Sequence, residues 1–464
     1  MSMTLSPPSF QALYRALDFE RPLDVSEPAD QLLYVEGLHT SEGYSPLDDL
    51  QVNIEMSDRP GTWLFTGHRG VGKSTELRRM AARLRDAGHV VLVVDMMDYL
   101  NVAEPLHIEG LLLNMAAALA DEAERFLPSM HALSGGAAAR LWSFLKHTDI
   151  SVPELNAEAS AGEESVAQAK VSFKAEFKRR PDLRQKVLDA VKNAPGKLAE
   201  QVRAFAQEVA LGVKAEHGPE TRVVLILDSL ERLRVTGADA QVCYDAIART
   251  FDAHGEHLKL EHIDVVYSVP PYLPFLSPRI GSYFGVEVCM LPHVKVFETP
   301  ARIAPADGSL EPVKPCDTGV ALLVACVSRR YPDVQQLIPV TQLQRLALAS
   351  SGSVRDFFRL IRSVCTKAQA ARAEVPLQTE RWVDLAEQML LNEMPLAQDD
   401  KQWLTAVRQT HGTGLGSMNN LHELARLFDS GLILNYRNGR DWCDVQYLLH
   451  PQLGVLSAGH LGGH

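Results

Sequence analysis

Nine residues, Gly67-His68-Arg69-Gly70-Val71-Gly72-Lys73-Ser74-Thr75, constrain this chain more than any other stretch. They follow a short apolar run, "TWLFTG", and lead into "STELRRMAARLRDAG", where Leu77, Met80, Ala81 and Leu84 fall on one helical face. Strand, glycine loop and helix in that order make a phosphate cradle. The Gly67-x-x-x-x-Gly72-Lys73-Ser74 spacing lets backbone amides turn inward around a β-phosphate. Lys73 reaches the β and γ oxygens, and Ser74 offers a hydroxyl to Mg²⁺. The positive end of the helix that starts near Lys73 adds to the same cradle.

Three further runs share the texture of strands buried on both faces: "HVVLVVDM" (His89 to Met96), "TRVVLILDSLERL" (Thr221 to Leu233) and "HIDVVYSVP" (His262 to Pro270). "VEVCMLPHVKVF" (Val286 to Phe297) is a weaker fifth candidate. Apolar strands alternating with helices predict an α/β core with a parallel sheet. About 120 residues separate the second and third runs, far more than one crossover helix needs. A helical insert over about residues 102–220 accounts for them, with Leu198, Val202, Phe205 and Val209 at helical spacing. Within it, Ser151 to Ala169 is small and polar, whereas Lys170 to Lys186 carries seven Lys/Arg against two acids.

The remaining boundaries follow turn-rich stretches. Residues 1–46 read as a lead-in, and 47–300 as the P-loop core, with Leu47, Leu50, Ile54 and Met56 on one helical face. A helical lid fills 301–391, its helices running from about Asp317, and a winged-helix-like domain fills 392–464. In that last segment Asn438-Gly439, between apolar runs, signals a β-hairpin.

Bulk properties exclude several classes. A net charge of −12 speaks against a protein that coats nucleic acid non-specifically. Six cysteines lie far apart, without a C-x-x-C pair, and read as reduced thiols. No apolar run reaches the roughly 18 residues of a membrane span, so a cytoplasmic protein without membrane contact is the simplest expectation.

A metal-bound triphosphate needs a carboxylate at the tip of a neighbouring strand, and Asp228, closing "VVLIL", meets that need. Ser229 follows it where many ATPases place a catalytic Glu. The next acid is Glu231, which reads either as the group that activates water or as a surface carboxylate paired to an arginine.

"LILDSLERL" is similar to the acidic strand segment of the STAND and NACHT ATPases, and its Glu-Arg ending to the KAP group. "LASSGSVRDFFRLI" (Leu348 to Ile361) resembles the lid of the AAA+ clade that includes origin-recognition initiators. That resemblance implies the fold just outlined, ATP and Mg²⁺ as ligands, and roles for particular residues. Gly67 to Thr75 and Ser268 would contact nucleotide, with Ser268 in the place of a sensor usually occupied by Asn. Ser74 and Asp228 would hold the metal; Lys73, Asp228, Glu231 and Arg355 would serve catalysis, Arg355 from the lid. Arg355 reads alternatively as part of a helix-surface ion pair. Arg279 is the preferred arginine finger toward a neighbouring subunit, with Arg302, Arg329 and Arg330 competing.

The winged helix reads either as a DNA contact, through Arg437 and Arg440, or as a packing module. The Lys170 to Lys186 stretch, with Phe173 and Phe177 interleaved, reads as an amphipathic helix or as a partner or nucleic-acid surface. Together these features predict an ATP-binding, ATP-hydrolysing AAA+/STAND-like switch that regulates a protein partner or its own assembly. The family resemblance adds bacterial anti-phage defence as a context. The alternatives are a DNA-dependent ATPase of the replication-initiator or transposition-regulator kind, and a nucleotide-binding scaffold that does not hydrolyse.

Overall fold

The computed structural model describes residues 8–40, 43–100, 104–127, 188–189, 194–233, 240–301 and 310–454. They belong to two units: Asp49–Thr66 with Met80–Cys289, and Met1–Asp48 with Gly67–Arg79 and Met290–His464.

The first unit is built on a sheet. Its strands are β1 (Thr62–Gly67), β2 (Val90–Asp95), β3 (Val223–Asp228), β4 (Asp264–Val269) and β5 (Cys289–Leu291), in the order β2-β3-β4-β1-β5. The pairings of β2 with β3, β3 with β4, and β4 with β1 are parallel, so their C-terminal ends share one edge. Every residue of β1, β3 and β4 is buried, the physical reason for their unbroken apolar runs. Inserting β4 between the loop-bearing strand and the acidic strand puts Ser268 beside Phe65 in register. The fifth strand is shorter than the Val286 to Phe297 run predicts, only three residues. Prolines and turns around it leave little backbone free to extend the ladder.

The opposite, N-terminal edge is tied by a buried charge. Asp264, without solvent exposure, accepts from Gly61 N (2.8 Å) and Trp63 Nε1 (3.2 Å) and pairs with Arg222 at 2.8 Å. One carboxylate thereby aligns the starts of β1, β3 and β4. The helices α5 (Ile108–Phe126) and Pro195–His217 pack on each other, the latter through Leu198, Val202, Phe205 and Val209 as the spacing predicts. The polar and basic parts of the expected insert, Ser151 to Ala169 and Lys170 to Lys186, lie outside the described residues.

In the second unit, four helices follow residue 310: Asp317–Arg330, Val340–Ala349, Val354–Ala370 and Arg381–Asn392. Phe10 and Leu13 of α1 (Phe10–Ala16) and Val35 share their apolar core with Leu323, Phe357 and Ile361. Arg362 covers the Tyr14 ring at 3.9 Å, closing the seam with a cation–π contact. The tail holds helices Gln398–Thr410 and Leu421–Asp429, then the hairpin β6 (Ile433–Arg437) and β7 (Asp441–Val445). Arg437 pairs with Asp441, so the connection has three residues, with Gly439 at φ +71°. A left-handed glycine is what such a loop requires. In α3 (Pro46–Met56), Leu47, Leu50 and Ile54 are buried as predicted, but Met56 at the frayed end is 78% exposed.

Candidate nucleotide-binding site

The phosphate loop leaves β1 and enters α4 (Lys73–Asp86). Gly67, Gly70 and Gly72 all have positive φ, at +156°, +92° and +106°. Gly67 and Gly72 belong to the motif, whereas Gly70 has a tertiary reason. A Cβ there would lie 2.9 Å from Arg355 Cβ and from Ser353 Oγ. The Arg355 N–H donates to the Gly70 carbonyl at 3.1 Å. The helix Val354–Ala370 therefore docks its first turn on the loop backbone, capped by Ser353, whose Oγ accepts from Asp356 N.

Lys73 is 4% exposed and donates to the carbonyls of Gly67 and His68, each at 2.8 Å. These two bonds bridge the start of the loop through one ammonium. Val71 is fully buried, Ser74 half-buried, and Arg69 exposed. Thr75 Oγ1 accepts from Leu23 N at 3.2 Å, which turns this expected nucleotide contact toward the N-terminal segment. The same segment grips α4 again through Tyr34, whose hydroxyl donates to Glu76 at 2.8 Å. His39 places its Nδ1 3.0 Å from the Pro292 carbonyl, and burial lowers its pKa.

His68 was legible only as a variable position of the motif. Its ring, 4% exposed, stacks on Phe428 (centroids 5.5 Å apart) and lies 4.9 Å from the His293 ring. Its Nε2 meets Asn435 Oδ1 at 3.1 Å. Burial, and then the neighbouring His68, hold the His293 pKa well below the usual imidazole value. No sequence signal pairs residues 68 and 435, because only the folded tail brings them together.

The sheet unit carries its own cluster of candidate residues. Asp228 ends β3, and Ser229 follows in a left-handed conformation, φ +74°, its N–H donating to Asp228 Oδ1 at 2.7 Å. A single 3₁₀ turn, Leu230–Arg232, then returns Glu231 toward the tip of β4, where Ser268 Oγ donates to Glu231 Oε2 at 2.9 Å. Of the two readings for Glu231, its carboxylate is bonded to the expected sensor residue, while the adjacent Arg232 approaches Asp95 at 3.8 Å.

Among the finger candidates, Arg279 is exposed at the cap of the helix Ile280–Phe284. Arg329 donates to the Tyr34 carbonyl, and Arg330 lies over the Phe358 ring at 4.9 Å, so both have partners within the second unit; Arg302 lies outside the described residues. In the tail, Arg426 pairs with Asp400 and Glu423, Arg437 with Asp441 at 2.7 Å, and Arg440 donates to the Pro300 carbonyl at 2.9 Å. The wing arginines thus have intramolecular partners, and Asn435 of the hairpin meets His68 of the loop. Among the described residues, no helix is long and apolar enough to cross a membrane.

No protein-family model matches the chain, and no curated protein does. Solved structures do. The Walker-type ATPase PABY2304 of Pyrococcus abyssi is 13% identical, with 95% of this chain and 100% of that one covered and a TM-score of 0.41. The ORC2 protein of Aeropyrum pernix, in ADPNP-ADP complexes, is 11% identical over 95% and 97% of the two chains, with a TM-score of 0.35. The RuvB Holliday junction branch migration motor of Thermotoga maritima is 14% identical over 89% and 94%, with a TM-score of 0.34. Likeness at this level assigns no activity; the α/β P-loop fold rests on the chain's own parallel sheet order and glycine loop.

Proposed function

We propose that this chain is an AAA+/STAND-like ATPase in which ATP, held on Gly67 to Thr75, works as a conformational switch. The observation that carries the reading is the docking of the lid on the loop itself, Arg355 N to Gly70 O at 3.1 Å. A ligand that moves or stiffens the loop backbone must be felt by the helix carrying Arg355, whose guanidinium can bind phosphate oxygens bidentately.

The residues suit the ligands. Lys73 sits at the first turn of α4 with its ammonium at the start of the loop, and α4 begins where phosphate would lie. Ser74 on the loop and Asp228 at the end of β3 each offer an oxygen of the kind Mg²⁺ takes, and the metal would supply charge neutralisation on the β and γ oxygens. Glu231, oriented by Ser268, is the group that would take a proton from the attacking water. Arg279, exposed, is the candidate finger toward a second copy. The output is exerted on a protein partner or on self-assembly. The internal pairing of Arg426, Arg437 and Arg440 supports this over a DNA-reading tail.

The test is nucleotide binding, turnover and particle size for wild type, Lys73→Ala and Glu231→Gln, with and without DNA. We expect Lys73→Ala to lose binding and Glu231→Gln to bind without turning over. Wild-type protein that neither binds ATP nor changes conformation or assembly with it would refute the proposal. Turnover that rises steeply with DNA and falls with salt would favour the DNA-dependent alternative.

A further inference from the structure

We infer that Asn435, in the C-terminal hairpin, is a positioning residue for the phosphate loop and couples nucleotide binding to the hairpin through His68. The inference rests on the nucleotide reading of the loop. Asn435 touches no nucleotide-binding atom itself; it acts through the residue that follows Gly67.

The geometry makes Asn435 a hub. Its side-chain Nδ2 lies 3.7 Å from Cys443 Sγ across the hairpin, which orients Oδ1 toward His68 Nε2 at 3.1 Å. Its backbone carbonyl accepts from His293 N at 2.9 Å and faces His293 Nδ1 at 3.1 Å. One residue of β6 therefore holds two histidine-bearing segments, and His68 is packed between the rings of Phe428 and His293.

The consequence for phosphate binding follows from Lys73. Its ammonium spans the loop by donating to the carbonyls of Gly67 and His68, so one end of that bridge is the backbone of the residue whose ring Asn435 meets. Removing the ring's partner leaves a buried N–H without an acceptor and lets this half of the bridge drift. Nucleotide binding must then restore the order that Asn435 now maintains. Coupling is reciprocal, so a nucleotide that stiffens the loop must also hold the hairpin down. The hairpin thereby reports occupancy of the loop.

The experiment uses the full chain. Amide hydrogen exchange of Ile433–Val445 is followed without nucleotide and with Mg²⁺–ATP, alongside ATP affinity of wild type, Asn435→Ala, Asn435→Asp, His68→Gln and Lys73→Ala. We expect ATP to slow hairpin exchange in wild type but not in Lys73→Ala. Asn435→Ala should bind ATP about tenfold more weakly, within the usual range for two coupled sites. Asn435→Asp, which keeps an acceptor, and His68→Gln, which keeps a donor, should recover most of that loss. Unchanged affinity in folded Asn435→Ala, or wild-type hairpin exchange indifferent to bound ATP, would overturn the coupling alone. Should Asn435→Ala fail to fold, the wild-type exchange decides. Wild type that binds no ATP would instead overturn the nucleotide reading, and the coupling with it.

Discussion

The Ser268 hydroxyl donates to the Glu231 carboxylate across 2.9 Å, joining the tip of β4 to the turn that follows β3. Ser268 is fully buried, so it can hold Glu231 in one orientation without competing water. If Glu231 accepts the proton of the attacking water, Glu231→Gln should lower kcat about 100-fold or more with KM little changed. Ser268→Ala should lower kcat about fivefold, the worth of one hydrogen bond. Steady-state ATPase kinetics checks both, and full turnover in Glu231→Gln would remove the assignment.

Gly352 carries the lid's approach to its neighbours. At φ +84°, a Cβ there would lie 2.1 Å from the Val294 carbonyl oxygen, while Val294 N donates to Gly352 O at 3.1 Å. Gly352→Ala should destabilise the fold by about 3 kcal/mol through backbone strain. Denaturant unfolding measures it, and an unshifted midpoint would show that the lid adapts.

At the N-terminal edge of the sheet, Asp264→Ala takes the buried carboxylate away from the half-buried Arg222 and from the Gly61 and Trp63 N–H donors. A loss of about 3–5 kcal/mol is expected. Replacing both, Arg222→Met with Asp264→Leu, should cost less than either single change, because no lone charge remains. Urea unfolding of the three variants tests this ordering.

The tail should lose stability in acid. Burial, and next the nearby Arg408, lower His450 to about 3 and His411 to about 4, against the usual 6.5. The unfolded chain takes up those protons first, so this stabilisation is complete above about pH 6.5 and is lost as pH falls, toward 4 for His411 and toward 3 for His450. Asp444, pushed up to about 6 by burial against the pull of Arg408, works in the opposite sense between about 6 and 3.8. Two histidines outweigh one acid, so unfolding midpoints should drop below pH 6, and His450→Gln should flatten that slope. Equal slopes in both proteins would contradict this.

How far the sequence reached differs from element to element. Buried parallel strands must be continuously apolar, so β1 to β4 were readable from local composition. Gly67, Gly72, Lys73 and Ser74 were readable because phosphate binding fixes their spacing within one turn. Gly352-x-x-Arg355 was readable as a motif, but its cause, a backbone contact with Val294 that excludes any Cβ, was not. Ser229 gave no hint of its left-handed backbone, since nothing local demands it. The wing arginines looked available in sequence, and only the fold supplied Asp441 and the Pro300 carbonyl as partners.

The sequence by itself determined a P-loop at a strand–helix junction, an acid at the end of a neighbouring apolar strand, and a hairpin at Asn438-Gly439. Each depends on interactions within a few residues, where spacing is geometry. Tertiary structure alone decided that Ser268 holds Glu231, that Arg355 docks on Gly70, and that Asn435 braces His68. Those pairs lie 37, 285 and 367 positions apart, with the middle figure the difference of 355 and 70. Contacts at such separations follow from how helices and strands pack, which local pattern leaves undetermined.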